Sequence, residues 1–257
     1  MQLSLRTPRV ITALILREMS TTYGRSAAGY LWAVAEPVAG IALLTLAFSF
    51  FLRNPPLGSD FAMFYASGVL PFMMYFTVSG KVAQSIQFSR QLLFYPRLTF
   101  LDAVLARFIL NAITQLMIVY LIMAVIILSM DTRVVLNLQA IILALAMSLS
   151  LAFGIGTLNC LLFSFFPAWQ SIWAVFNRPM FLVSGVLFLY DQMPDDLRWY
   201  LWYNPLIHVV GQMRKGIYPT YAADYVWPGY VFLWSAIPAV FGVFFLRRYH
   251  KKILNEL

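Results

Sequence analysis

From Val134 to Asn177 the chain carries no Asp, Glu, Lys or Arg. A helix crosses the hydrocarbon core of a bilayer in about 20 residues, so this stretch is too long for one crossing. The rest of the chain agrees with it: 61% of the residues are apolar and 11% charged, against about 25% charged in a soluble domain. So few charges cannot cover a water-soluble globule. A soluble enzyme, a nucleic-acid module and a disordered chain are excluded as classes, and an all-α polytopic membrane protein remains.

Six apolar segments reach crossing length, predicted at 32–52, 62–86, 104–128, 138–163, 171–190 and 227–246. Arg53-Asn54-Pro55-Pro56 closes the first. Pro167 divides the long uncharged stretch into the fourth and fifth, because proline breaks helices and Phe166-Pro167-Ala168-Trp169 reads as a turn at an interface. Pro228 suits the first turn of the sixth, and Arg247-Arg248 ends it.

An even count puts both termini on one side, and the positive-inside rule selects it. Arg6, Arg9, Arg17, Arg25, Lys81, Arg90, Arg97, Arg107, Arg247, Arg248, Lys251 and Lys252 gather on one side. Only Arg53, Arg133, Arg198, Arg214 and Lys215 lie on the other, among several aspartates. Both termini are therefore expected in the cytoplasm. The net charge of +8 is this orientation signal rather than a basic face for nucleic acid, which would need clustering on one solvated surface. The short N-terminal apolar run, 10–16, has no small-x-small cleavage pattern directly after it and is read as retained.

Three segments fit no span. Residues 8–22 place Ile11, Leu14, Ile15 and Met19 at helical spacing, as in an amphipathic helix lying on the cytoplasmic membrane surface. Glu18 falls on the apolar side of that wheel and sits badly there. Residues 82–103 are a cytoplasmic connection of helical pattern, and residues 191–226 are an outer segment far too aromatic for an ordinary loop. There are no long repeats, so one membrane domain covers 1–257.

Absences narrow the chemistry. The phosphate-cradling pattern G-x-x-x-x-G-K-[ST] is missing, since Gly80-Lys81 runs into Val82 and its first position would be Tyr75. The chain is not expected to be an enzyme or to hydrolyse ATP by itself. No Asp, Glu or His stands mid-span to serve as a proton relay; Glu36 and Asp102 both lie near the cytoplasmic ends of their segments. Cys160 has no partner and reads as a small buried apolar residue. His208 and His250 have no second ligand at metal spacing, so no metal or cofactor site is expected in this chain.

Arg178, in Asn177-Arg178-Pro179, falls mid-way along the predicted fifth span. A cation there is costly unless it meets water, a partner or a ligand. It is either an anion contact in a transport path or a guanidinium satisfied by carbonyls at a proline kink. Trp169 with Trp173, and Trp199, Tyr200, Trp202 and Tyr203 in the outer segment, suit stacking on the C–H faces of sugar rings. Interfacial aromatic belts are the commoner reason for such residues. Gly154 and Gly156, with Ala152 and Cys160, make the fourth helix thin, as a small-residue packing surface.

Two longer motifs carry a likeness beyond composition. One is Gly29-Tyr30-Leu31-Trp32-Ala33-Val34-Ala35-Glu36-Pro37, preceded by Arg17-Glu18 and Tyr23-Gly24-Arg25. The other is Leu201-Trp202-Tyr203-Asn204-Pro205-Leu206-Ile207-His208-Val209-Val210, followed by Arg214 and Gly216. With Gly68-Val69-Leu70-Pro71-Phe72 and Leu93-Phe94-Tyr95-Pro96, the chain resembles the membrane subunit of ABC-2 type polysaccharide exporters, most nearly the permease of Gram-negative capsular polysaccharide export.

That resemblance implies an inner-membrane homodimer joined to two copies of a separate cytoplasmic ATPase, which holds ATP and Mg²⁺. It also implies an N-terminal interface helix and short re-entrant helices between the fifth and sixth spans. By the same likeness the connection at 87–97 docks on the ATPase, with Gln87, Arg90, Phe94, Tyr95 and Arg97 as contacts and Arg17 and Glu18 at the same junction. The substrate implied is a lipid-linked, often acidic capsular glycan, passing Arg178, Lys81, Trp169, Trp173, Tyr200, Trp202 and Tyr203. Periplasmic co-polymerase-like and outer-membrane export proteins would receive it. An exporter of O-antigen or teichoic acid, a stand-alone channel or secondary carrier, and a membrane scaffold are the competing readings.

Overall fold

Every regular element in the described residues of the computed structural model, 6–23, 28–93, 98–129 and 135–256, is helical. In order these are α1 (Arg6–Glu18), α2 (Ala28–Phe51), α3 (Phe61–Ala83), α4 (Ser85–Leu93), α5 (Phe100–Ser129) and α6 (Leu138–Phe165). They are followed by α7 (Pro167–Asn177), α8 (Met180–Val183), α9 (Asp195–Trp202), α10 (Pro205–Ile217) and α11 (Pro228–Glu256).

Local chemistry explains several boundaries. Asn137 caps α6, its Oδ1 accepting from the Ala140 N–H at 3.1 Å. Asn204 caps α10 in the same way at Leu206 N–H, with Pro205 in the first turn, where no N–H is needed. Asp102 begins α5 as the acid of a capping box: its Oδ2 accepts from both the backbone N–H and the hydroxyl of Thr99, and the Thr99 hydroxyl accepts from Asp102 N–H.

The bundle is organised around α6, which packs most extensively on α11 and α3. Both interfaces depend on missing side chains. A Cβ at Gly154 would lie 2.1 Å from the Ser235 carbonyl oxygen of α11, and one at Gly156 would lie 2.9 Å from the Ser79 carbonyl oxygen of α3. The predicted small-residue surface therefore faces two helices at once. Ser148 adds a hydrogen bond from its hydroxyl to the Pro71 carbonyl of α3 at 2.8 Å. In α3 and its continuation α4, 72% of the most apolar stretch is buried; in α2 only 11% is. The interior therefore sits on α3, while α2 rides on the outside with Leu31, Trp32, Leu43, Leu46 and Phe50 exposed.

Among the described residues five helices are long and apolar enough to cross a membrane: α2, α3 with α4, α5, α6 and α11. The single helix expected at 171–190 is absent. In its place α7 stops at Asn177, α8 adds one turn, and Gly185 at φ +76° turns the chain. Pro179 has no N–H to continue the ladder of α7, and the left-handed Gly185 ends α8 soon after. The segment nevertheless runs the length of the bundle. Phe165 packs edge-on against Tyr249 late in α11, whereas Tyr190 stacks on Tyr225 just before α11 begins. A broken helix at membrane depth is tolerated where protein or a cavity receives its loose backbone groups.

The other boundaries shift by smaller amounts. The helical spacing read at 8–22 corresponds to α1, continued by a wider π turn at Met19–Tyr23. The second crossing ends at Ala83 and re-forms as α4, and the last helix extends well past residue 246 to Glu256.

Between residues 191 and 226, α9 and α10 form a helical hairpin. The end of α10 meets the start of α6, where Asn137 N–H donates to Gly216 O at 2.8 Å and Gln212 reaches Ala140 O at 3.4 Å. Val209, nearer the start of α10, packs with Met147, about two turns further along α6. The corner at Tyr203–Asn204 therefore points into the bundle.

Candidate functional site

The first candidate region is the chamber made by the break in the fifth segment. Asn177, Arg178 and Phe181 form one wall, Glu36, Gly40, Leu43 and Leu44 of α2 a second, and Val69, Phe72, Met73 and Phe76 of α3 a third. Its volume is about 470 Å³. The α3 residues come from the middle of that helix, so the chamber lies at mid-depth. Its walls are apolar apart from one acid, one base and one amide. Asn177 is buried and its Oδ1 has no hydrogen-bond partner among the described residues.

The other residues predicted for a path do not join this chamber. Trp169 and Trp173 are half-buried along α7, at 6.4 Å between ring centroids, and the Trp169 indole N–H donates to Asn159 Oδ1 at 3.0 Å. Lys81 is half-buried near the end of α3. Tyr200 and Tyr203 are exposed on and just after α9.

Trp202 is a structural centre rather than a free platform. Its ring packs against His208 at 5.2 Å and Tyr230 at 5.1 Å, and its N–H donates to Tyr225 O at 3.2 Å. Trp227 N–H donates to His208 Nδ1 at 3.2 Å, so Nε2 carries the proton and donates to Trp202 O at 2.8 Å. Both ring nitrogens are thus committed to backbone, which fixes the neutral tautomer. In the connection after α10, burial pushes the Tyr225 phenol up to about 12, so it stays protonated.

A second centre was not anticipated as such. Arg214 of α10 is fully buried; its Nη1 and Nη2 donate to the carbonyls of Phe188 at 2.8 Å and Val186 at 2.9 Å, and its guanidinium lies 4.3 Å over the Phe64 ring. Asn204 Nδ2 donates to the Val183 carbonyl at 3.1 Å. Together these bonds hold the turn after α8, and with it the far side of the break. The signal lay in the Trp-Tyr-Asn-Pro motif and the arginine following it, whose role is to fasten the hairpin to the broken segment. Gly216 belongs to the same fastening, since a Cβ there would lie 2.9 Å from the Ile141 backbone nitrogen of α6.

The opposite end carries the predicted partner-facing residues. In α4, Ile86, Ser89 and Leu93 are buried while Gln87 and Arg90 are exposed, so the helix offers one polar face outward. Phe94, Tyr95 and Arg97 lie outside the described residues. Glu18 is buried and paired with Arg107 of α5 at 2.9 Å. Arg107 also donates to Gln84 O at 3.1 Å and lies 4.2 Å over the Phe88 ring, with Arg17 5.7 Å over the same ring. The junction thus brings α1, α4 and α5 together.

Comparison with known proteins adds the family context. A family model described as ABC-2 type transporter matches residues 9–218. The polysialic acid transport protein KpsM of Escherichia coli is 25% identical over 96% of this chain and 95% of its own length. The capsule polysaccharide export inner-membrane protein CtrC of Neisseria meningitidis is 26% identical over 95% of this chain and 92% of its own. The protein of the same description from Haemophilus influenzae, BexB, is 23% identical over the same shares.

Proposed function

Because the chain belongs to the ABC-2 type transporter family, we propose that it is the membrane subunit of an ATP-driven exporter of lipid-linked, acidic capsular polysaccharide. The observation that carries this reading is its likeness, along nearly its whole length, to proteins named for polysialic acid transport and capsule polysaccharide export. The mid-depth chamber bearing Arg178 supports it, since that is where an anionic chain needs a cation.

In this reading the subunit performs no covalent chemistry. ATP and Mg²⁺ belong to two copies of a cytoplasmic ATPase, which dock on Gln87 and Arg90 of α4 and on Phe94, Tyr95 and Arg97 just beyond it. The stroke passes through Arg17, Glu18 and Arg107 into α5. Two permeases pair, and the exposed apolar face of α2 supports such pairing. The protein sits in the inner membrane with both termini cytoplasmic, which the distribution of arginine and lysine supports. The glycan passes Lys81 and Arg178, with Trp169, Trp173, Tyr200, Trp202 and Tyr203 along the route. Periplasmic and outer-membrane export proteins take it from there.

The test is co-expression with the cognate ATPase, followed by affinity purification and ATP hydrolysis in lipid nanodiscs. A stable two-plus-two complex whose hydrolysis requires this chain, and which restores surface glycan to a strain lacking its own capsule permease, is the expected result. A folded, dimeric protein with no associated ATPase and no coupled hydrolysis would overturn the reading.

A further inference from the structure

The chamber at mid-depth holds one acid and one base, Glu36 on α2 and Arg178 at the break. Neither has an ion-pair partner among the described residues, where the salt bridges are Glu18–Arg107 and Asp195–Arg198. Asn177, beside Arg178 on the same wall, is only 7% exposed, and its Oδ1 is buried with no donor among the described residues. Three polar groups of complementary type thus share a chamber of about 470 Å³ whose other walls are apolar. Charges at membrane depth persist where they meet water, an opposite charge or a ligand. Both charged side chains are exposed in the single protomer, and attraction between a guanidinium and a carboxylate strengthens where lipid or a partner excludes water from them.

We infer that Glu36 is the resident counter-charge of Arg178 and determines which substrates open the chamber. In the paired state the two side chains close onto each other and Asn177 Oδ1 accepts a guanidinium N–H. A carboxylate or phosphate on the transported molecule opens it by taking Arg178 from Glu36, one anion exchanged for another. A neutral chain offers Arg178 nothing in exchange and leaves the pair closed. This rests on the proposed placement of Arg178 in the transport path.

The test is a double-mutant cycle at positions 36 and 178 in the complete exporter, with its ATPase, in nanodiscs. Glu36→Gln and Arg178→Gln should each lower the thermal midpoint by about 2–4 °C. The double variant should lose no more than either alone, because both remove one shared interaction. Additive losses would overturn the pairing.

Selectivity is read as ATP hydrolysis stimulated by a glycolipid bearing uronic-acid sugars, compared with the same glycolipid after reduction of its carboxylates to alcohols. The wild-type complex should respond to the acidic form alone, and Glu36→Gln to both. If Glu36→Gln keeps the discrimination while Arg178→Gln loses the acidic response, the role of Glu36 is overturned and Arg178 stays in the path. If Arg178→Gln responds like the wild type, the placement of Arg178 itself fails.

Discussion

Arg107 Nε donates to Glu18 Oε1 at 2.9 Å, joining the N-terminal helix to α5 across 89 positions of chain, with both side chains buried. Burying two ions is costly in itself, and removing only one leaves the other charged, desolvated and unpaired, a loss of about 3–5 kcal/mol. Glu18→Ala and Arg107→Ala are therefore each expected to destabilise strongly, seen as a lower midpoint in thermal denaturation of the purified protein. The reversed pair, Glu18→Arg with Arg107→Glu, should recover part of the loss. Two single variants and a swap that all melt with the wild type would show that the pair holds nothing together.

The same pair shows where sequence reasoning stops. The apolar spacing of 8–22 is legible as an amphipathic helix, but Glu18 on its apolar side has no explanation until Arg107 stands opposite. Nothing local indicates a partner so far along the chain. Crossing helices are legible because lipid demands long uncharged runs, and five of the predicted six stand as long helices with shifted ends. The fifth is not one, although Asn177-Arg178-Pro179 and Gly185 were both visible. Proline signals a kink, whereas whether the helix resumes depends on what receives the freed backbone groups. Here the receivers are Asn204 and Arg214, brought in by the hairpin. Glu36 is a similar case: near one end of its segment in sequence, it shares a mid-depth chamber with Arg178 only once α7 has stopped.

Close packing of α6 gives a sharper prediction. At Gly154 the obstacle to a side chain is the Ser235 carbonyl oxygen, 2.1 Å from an added Cβ, and backbone cannot rotate away as a flexible side chain would. Gly154→Val should cost at least the ~1–3 kcal/mol typical of overpacking by pushing α11 off α6. Gly80, helical in α3 with nothing within 4 Å of an added Cβ, is the control. Gly80→Ala should be neutral or gain up to about 1 kcal/mol from helix propensity. Equal melting temperatures for the two variants would contradict the interface.

Arg214 acts through the carbonyls of Val186 and Phe188, 28 and 26 positions before it. Arg214→Leu preserves much of the bulk but strands both carbonyls, at about 1–3 kcal/mol for each buried group left unsatisfied. Release of the turn after α8 should expose 184–192 to proteases added on the outer side of membrane vesicles, while α3, α6 and α11 stay protected. Arg214→Lys, which lacks the guanidinium fork that spans both carbonyls, should fall between. Unchanged cleavage in both variants would remove Arg214 from the fastening.

The two faces of α4 separate docking from folding. Gln87 and Arg90 are exposed, whereas Ile86 is 1% exposed in the core. Arg90→Glu with Gln87→Ala should leave the melting temperature within the ±0.5 kcal/mol range of ordinary surface changes and yet reduce the ATPase recovered with the permease. Ile86→Ala should do the reverse in its primary effect, costing about 2–5 kcal/mol through the cavity it leaves, with any loss of partner following from the loss of fold. Reading both variants by thermal denaturation and by co-purification distinguishes the cases. If the surface double variant destabilises the isolated permease as much as Ile86→Ala does, the outward face of α4 belongs to the fold. If it alters neither stability nor ATPase recovery, the partner docks elsewhere.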